Sequence, residues 1–300
     1  MRQSFDSSVL EIDAGAVAAR LSGRLREILA QELSRRGFVI AISGGVDSAV
    51  CAALAVTAVG AERVFGVLLP ERDSSGISTE RGRLVADHLR IRHEITDIGP
   101  ALDALSCYRL RDEAIRRVFP DYDAGWRSKI VLRGGAGQIN HFHLIVQMPG
   151  GETREERLGL REYLQIVAAT NYKQRLRKAV EYYHADRLNY AVIGTPNRLE
   201  YDQGFFVKNG DGSADVKPIA HLYKTQVYAL ARHLALPPQV CAARPTTDTY
   251  SLAQGQDEFF FRLPYEQMDL ALWAHNHGRS AQELARVLSI DPRQAEEIYA

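Results

Sequence analysis

The chain has 300 residues, 46% of them hydrophobic, and its 37 Lys plus Arg are matched by 37 Asp plus Glu. That length suits one α/β domain with insertions, and the balanced charge leaves no basic field of the kind that binds nucleic acid. Cys51, Cys107 and Cys241 make an odd number with no CxxC spacing, which argues against a disulfide framework or zinc site and for a reducing compartment. No run approaches the roughly 20 apolar residues that span a bilayer, and the acidic start around Asp6, Glu11 and Asp13 lacks an apolar signal segment. A soluble cytoplasmic protein without membrane or nucleic-acid partners is expected.

Residues 13–36 carry Ala16, Val17, Leu21, Leu25, Ile28, Leu29 and Leu33 at helical spacing, which predicts an amphipathic helix. The β-branched run from Val39 through Ala41 and Ile42 then stops at Ser43, Gly44 and Gly45, and an alanine-rich helical pattern opens at Val46, Asp47 and Ser48. A buried strand feeding a tight loop and a helix start is expected. Such a loop offers backbone N–H groups and the positive helix end to a phosphate, and its glycines allow close approach. Ser43 and Ser48 add hydroxyls, and Asp47 suits a divalent cation beside the phosphates. A lone Gly-Gly would equally suit an ordinary strand–helix turn.

Arg63–Pro70 reads as a second buried strand, 80–90 as a helix and His93–Ile98 as a third strand. Strands alternating with helices predict a parallel sheet covered on both faces, with ligands beyond the carboxyl ends of the strands. The rhythm breaks between about 105 and 160. There, Trp126–Leu132 and Asn140–Gln147 read as two strands of an inserted β-hairpin around the glycines of 134–137, closed by Gly150-Gly151. No helix opens after those glycines, so a hairpin loop suits them better than a second phosphate loop. His141 and His143 alternate onto one strand face, where a metal pair and simple packing both fit. A long helical pattern covers 161–188, followed by a compact strand over 189–195, a helix over 220–235 stopped by Pro237-Pro238, and a helical last 40 residues broken at Pro264 and Gly278. The expected fold is a doubly wound parallel sheet with an inserted β-hairpin and a helical C-terminus, in one domain over 1–300.

Ser43-Gly-Gly-Val-Asp-Ser48 resembles the pyrophosphate loop of the N-type ATP pyrophosphatases, and no Gly-Lys-Ser/Thr of the Walker kind follows it. Downstream, over roughly 15–100 and 161–265, the chain resembles ammonia-dependent NAD synthetases. Asn171-Tyr-Lys-Gln-Arg175-Leu-Arg177 is similar to that family's helix whose arginine faces deamido-NAD, which implies that role for Arg175. Gly194-Thr195-Pro-Asn-Arg-Leu-Glu200 matches its Gly-Thr…Glu spacing, which implies that Thr195 touches ATP and that Glu200 completes a magnesium site with Asp47. In Phe205-Phe-Val-Lys208-Asn-Gly-Asp-Gly-Ser-Ala-Asp215, Lys208 and Asp215 fall on dinucleotide contacts. Lys224 falls on the ATP-phosphate lysine, and Thr246 on the threonine of the family's Pro-Thr-Ala-Asp string. Read singly, Arg175, Glu200 and Lys224 each also suit a solvated surface charge; the shared order is what distinguishes them.

The resemblance implies cleavage of ATP with Mg²⁺ to adenylate a carboxylate, then attack of ammonia to give an amide, AMP and pyrophosphate. No side-chain nucleophile is needed, in keeping with the lack of any Ser-His-Asp or Cys-His constellation. Ammonia is expected free or from a separate supplying protein. The resemblance also implies a homodimer, and the 161–188 helix carries more apolar residues than one exposed face should show. Two departures bear on the acid end of the site: the 105–160 segment, and the lack of a counterpart to the family's C-terminal His-Lys pair before Ala300, where either the contact is lost or the sequence stops short of it. They keep open the same chemistry on a sugar acid or natural-product intermediate. A non-catalytic nucleotide-binding protein is disfavoured by the joint presence of Asp47, Glu200 and Lys224. Within the segment, Trp126, Phe142 and His143 are candidates to line the acid's pocket or to pack.

Overall fold

The computed structural model describes residues 5–134, 141–243, 250–252 and 263–299. Helix α1 (Ala14–Glu27) opens on the Asp13 carboxylate, which accepts from the Ala16 N–H, and runs into a π turn over Ile28–Glu32. It leads to strand β1 (Phe38–Ala41), then α2 (Val46–Val59), β2 (Val64–Leu68), α3 (Gly76–His88) and β3 (Arg92–Ile95). Helices α4 (Gly99–Ala104) and α5 (Cys107–Arg116) precede an antiparallel unit of β4 (Arg127–Arg133), β5 (His141–Gln147) and β6 (Thr153–Arg157). Helix α6 (Leu160–Leu188) and β7 (Ala191–Ile193) follow, then α7 (Arg198–Asp202), α8 (Lys224–His233) and α9 (Pro238–Cys241). The chain closes with α10 (Tyr265–Asn276), α11 (Ala281–Leu288) and α12 (Pro292–Tyr299).

The main sheet has the order β3-β2-β1-β7 with every pairing parallel. Strands β1, β2 and β7 are buried and read as continuous apolar runs, while the edge strand β3 (Arg-His-Glu-Ile) alternates exposed and half-buried residues. Phe38, Ile40, Val64, Leu68, Ala191 and Ile193 face one core with α1, α2 and α8. Val39, Phe65, Val67 and Val192 face the other, with α4, α5 and α6. This is the doubly wound arrangement expected. Helix α2 is buried along nearly its whole length, which explains its Ala-rich, almost charge-free composition.

The antiparallel unit is larger than a hairpin. A third strand, β6, pairs with β5 through Ile145↔Glu155 and Val146↔Arg154, giving the order β4-β5-β6. Its sequence, Thr-Arg-Glu-Glu-Arg, has no apolar face because it forms an edge with four of five residues exposed or nearly so. Arg133 tethers it by a forked pair to Glu155 at 2.8 and 2.9 Å. The 105–160 break in rhythm also conceals α5, whose Cys107, Tyr108, Ala114 and Ile115 are buried at helical spacing. Helix α6 joins the two sheets: Ile166 lies in the core of the antiparallel unit, while Tyr172, Leu176 and Val180 pack on the parallel sheet. Of the three cysteines, Cys51 and Cys107 are buried and all are free thiols.

Candidate active site

The loop after β1 and the start of α2 form one wall of a cleft of about 630 Å³ at the carboxyl edge of the parallel sheet. Gly44 takes φ of +82°, and a Cβ there would sit 2.3 Å from the Ser78 carbonyl oxygen, so only glycine fits. The Ser43 hydroxyl accepts from the Gly45 N–H at 3.3 Å and lies 3.2 Å from the Ser48 hydroxyl, which donates to the Gly45 carbonyl at 2.9 Å. Those contacts hold the loop in the shape that presents a helix N-terminus to an anion. Ala41, Ile42, Ser43, Gly44, Gly45, Val46, Asp47 and Ser48 all line the cleft.

Three charges converge behind the loop. Lys224 opens α8, is 1% exposed, and pairs its ammonium with the Asp47 carboxylate. Two N–H groups at the start of that helix, those of Lys224 and Thr225, donate to the buried Asp269 carboxylate of α10 at 3.2 and 2.7 Å. The helical C-terminus thus fixes the lysine. Asn197 ends the strand-to-helix turn after β7; its side-chain amide donates to Asp47 at 3.2 Å, and its N–H donates to Glu200 at 2.9 Å. Glu200 in turn offers its backbone N–H to the Asn197 side chain, a capping box that starts α7 and aims the carboxylate inward. Burial opposes the Lys224 charge, but Asp47 and Glu200 outweigh it and hold its pKa above the ordinary lysine value. Burial first, then the Asp47 charge, pushes the Glu200 pKa up to about 7. Two hard oxygen donors that repel beside a phosphate loop fit a divalent cation shared with polyphosphate oxygens. Among the described residues no group of three or more His, Cys, Asp or Glu forms an all-protein metal cage.

The cleft is also lined by Arg175, Lys208, Tyr163, Val167, Phe205 and Tyr250. The Arg175 guanidinium donates to the Lys208 carbonyl at 3.2 Å, so the α6 arginine and the glycine-rich turn after α7 meet directly. Thr195, just after β7, lines the cleft as well. Asp215 stands apart from that lining: its carboxylate accepts from the Val192 N–H at 2.7 Å and from the Tyr182 hydroxyl at 3.3 Å. Thr246 falls outside the described residues. Trp126, Phe142 and His143 do not line the cleft; His143 instead lies 3.1 Å from Glu155 on the neighbouring strand.

Sequence reading missed several residues that shape this site. Arg177 lines the cleft and donates to the Leu69 carbonyl at 3.2 Å, tying α6 to the end of β2. Lys178 and Glu181 form a buried pair at 2.9 Å in the cleft wall. Lys173, 1% exposed, reaches Glu71 at 3.0 Å and Asp73 at 2.6 Å, and Arg111 also pairs with Asp73. That network pins the loop after β2, from which Pro70 and Ser74 face the cleft. Asn197 was readable from its position three residues before Glu200, the spacing of a capping box. Asp269 gives no local signal, since its partners lie 44 and 45 residues earlier.

A parallel doubly wound sheet, a serine–glycine phosphate loop and an acid–lysine cluster at one strand edge define an α/β nucleotide-binding enzyme class. The NAD synthase family profile matches residues 17–130 and 144–300. The NH(3)-dependent NAD(+) synthetase of Rhizobium meliloti (strain 1021) is 54% identical over 302 residues, covering 100% of this chain and 90% of the relative. Two solved structures share the fold at a TM-score of 0.62 and 21% identity: an NMN synthetase from Francisella tularensis, covering 97% of each chain, and the NH3-dependent NAD synthetase from Campylobacter jejuni, covering 96% of this chain and 92% of that one. The chain belongs to the NAD synthase family. The matched residues include the helices after Pro264 and all but 131–143 of the antiparallel unit's span, so the departure from the family pattern is narrower than the sequence reading expects.

Proposed function

We infer that this chain is an ATP-dependent, ammonia-using ligase that converts deamido-NAD to NAD, with AMP and pyrophosphate as the other products. The observation that carries this reading is that one cleft is lined both by phosphate-directed groups (the Ser43–Ser48 loop and Lys224) and by Arg175 joined to Lys208. The polyphosphate of ATP lies on the loop, with Lys224 neutralising charge on the departing pyrophosphate. Arg175 and Lys208 receive anionic oxygens of the acid, a guanidinium being suited to fork onto carboxylate or phosphate. Asp47 and Glu200 would hold Mg²⁺, which would supply charge neutralisation on the phosphates. The chain's own contribution is positioning the acid's carboxylate against the α-phosphorus and excluding competing water. Ammonia arrives free or from a separate supplying protein.

A second reading, the same amidation of a smaller nicotinate nucleotide, is favoured by one observation: the NMN synthetase shares the fold to the same TM-score as the Campylobacter enzyme. Pyrophosphate release with ATP, Mg²⁺ and ammonium, measured against deamido-NAD, nicotinate mononucleotide and a panel of other acids, separates the readings. Highest kcat/KM with deamido-NAD is expected, and preference for another acid would reassign the substrate. The protein also acts as a homodimer on this reading, a symmetric pair being the commonest assembly. Helix α6 leaves Leu160, Leu164 and Tyr183 more than half exposed, in keeping with a covered face. Light scattering giving only a monomer mass at micromolar protein would contradict this. No helix among the described residues is long and apolar enough to cross a membrane.

A further inference from the structure

Among the described residues, the antiparallel unit touches the cleft through intermediaries, and those contacts come from two distant parts of the chain. On β5, the Phe142 ring stacks on Tyr163 of α6 with centroids 4.1 Å apart and planes 13° from parallel. On the side of β4 away from β5, the Ser128 N–H donates to the Ser251 hydroxyl at 2.9 Å, and its carbonyl accepts from the Leu252 N–H at 3.1 Å. Residues 251–252 thus pair with β4 on the side away from β5, where an added strand would sit. Tyr250, the residue before them, packs against the apolar core of the antiparallel unit together with Tyr163, Val167 and Phe205. All four also line the cleft, Phe205 three residues before Lys208 and Val167 two turns before Arg175 on α6. None of the residues that bind the phosphate loop together belongs to this cluster.

We propose that the antiparallel sheet is a positioning element for the acid substrate: it sets the aromatic wall, Tyr163 and Tyr250, against which the acid's ring rests. The sheet does this by stacking Phe142 behind one tyrosine and pairing Ser128 with the segment that carries the other. The physical case is that a wall built from two segments, one from α6 and one 87 residues later, has no fixed spacing unless a third body grips both. The sheet is rigid for that task, because Ile130, Leu144 and Val146 in its centre are fully buried. Its action is selective by placement, since it reaches the acid end of the cleft and leaves the Asp47, Glu200 and Lys224 end to other elements.

This inference rests on the assignment of that end of the cleft to the acid. Its test is steady-state kinetics of Phe142→Ala, Phe142→Tyr and Ser251→Ala, with deamido-NAD and ATP varied separately and melting temperature recorded. Phe142→Ala should raise KM for deamido-NAD by about tenfold, the upper range for one aromatic pair, while KM for ATP stays within about twofold. Phe142→Tyr keeps the ring and should restore the wild-type KM; Ser251→Ala should shift the same KM in the same direction by a smaller factor. Equal rises in both KM values, or an unchanged KM for the acid in the folded variants, would overturn the proposal. Should Phe142→Ala fail to fold, Ser251→Ala decides alone, and a KM for the acid indistinguishable from wild type overturns it. A wild-type enzyme that amidates a different acid would defeat the substrate assignment instead, and the same variants would then be read with the accepted acid.

Discussion

Replacing Lys224 with alanine probes the site where its charges are most tightly balanced. The ammonium is buried against Asp47, with Glu200 as its second carboxylate neighbour. A unit charge about 4 Å from a phosphate oxygen contributes about 4 kcal/mol at an effective dielectric near 20. The cost of burying the lysine offsets part of that, so a loss of at least about 2.7 kcal/mol is expected, which is about a hundredfold in kcat/KM. Asp47→Asn, which keeps the shape and removes the opposing charge, should lose at least about as much. A second signature follows from Glu200, whose pKa already stands at about 7 because burial and Asp47 outweigh the lowering by Lys224. Without the lysine it rises further. A carboxyl whose folded pKa is raised stabilises the fold fully at low pH and loses that contribution as pH climbs through the folded value. The melting temperature of Lys224→Ala should therefore fall more steeply than that of wild type between about pH 6 and 8. Pyrophosphate release with ATP as the varied substrate, alongside thermal melts at both pH values, measures each effect. Turnover within tenfold of wild type in a folded Lys224→Ala protein would refute the assignment of this lysine to the phosphates.

Gly44→Ala should raise KM for ATP by at least about tenfold, because a side chain at its positive φ costs about 1–2 kcal/mol and its Cβ would collide with the Ser78 carbonyl. ATP titration of the folded variant checks it, and an unchanged KM would remove the loop from the nucleotide site. Asp73→Asn should destabilise the protein by about 3–5 kcal/mol at neutral pH, since it leaves Lys173 and Arg111 short of a buried partner. Burial opposes ionisation of Asp73, but Lys173 and Arg111 outweigh it and hold its pKa below the usual carboxylate value. Its stabilising contribution is therefore present at neutral pH and lost as pH falls through the folded pKa. The difference in stability between wild type and Asp73→Asn should shrink on acidification below about pH 4, as denaturant titrations at several pH values would show.

The parts of the fold written in short-range pattern were legible. The β1 run ending in Ser-Gly-Gly, the helix that follows it and the long α6 each carry their own punctuation, and the structure places them as expected. Strand β6 was not legible, because an exposed edge held by Arg133–Glu155 pairs needs no apolar alternation. Helix α5 was not legible because the buried Arg111 interrupts the apolar stripe of Cys107, Tyr108, Ala114 and Ile115. In the site, Asp47, Glu200, Lys224, Arg175 and Lys208 were identified from motif order, and the structure brings all five to one cleft. The supports stayed hidden for a physical reason: Asp269 beneath Lys224, and Glu71 and Asp73 around Lys173, act across 44 to 102 residues of chain, where no local spacing links the partners. Of the two roles open to Phe142, lining and packing, the structure gives it packing behind Tyr163, because alternation along a strand gives the face but not what packs behind it.

The measurement that bears most directly on the chemistry follows an oxygen atom. Deamido-NAD carrying heavy oxygen in its nicotinate carboxylate is incubated with the protein, ATP, Mg²⁺ and ammonium, and the products are resolved by mass spectrometry. Attack of the carboxylate on the α-phosphorus predicts one labelled oxygen in AMP, the other retained in the amide of NAD, and none in pyrophosphate. Label in pyrophosphate or inorganic phosphate, or unlabelled AMP formed alongside NAD, would contradict the account.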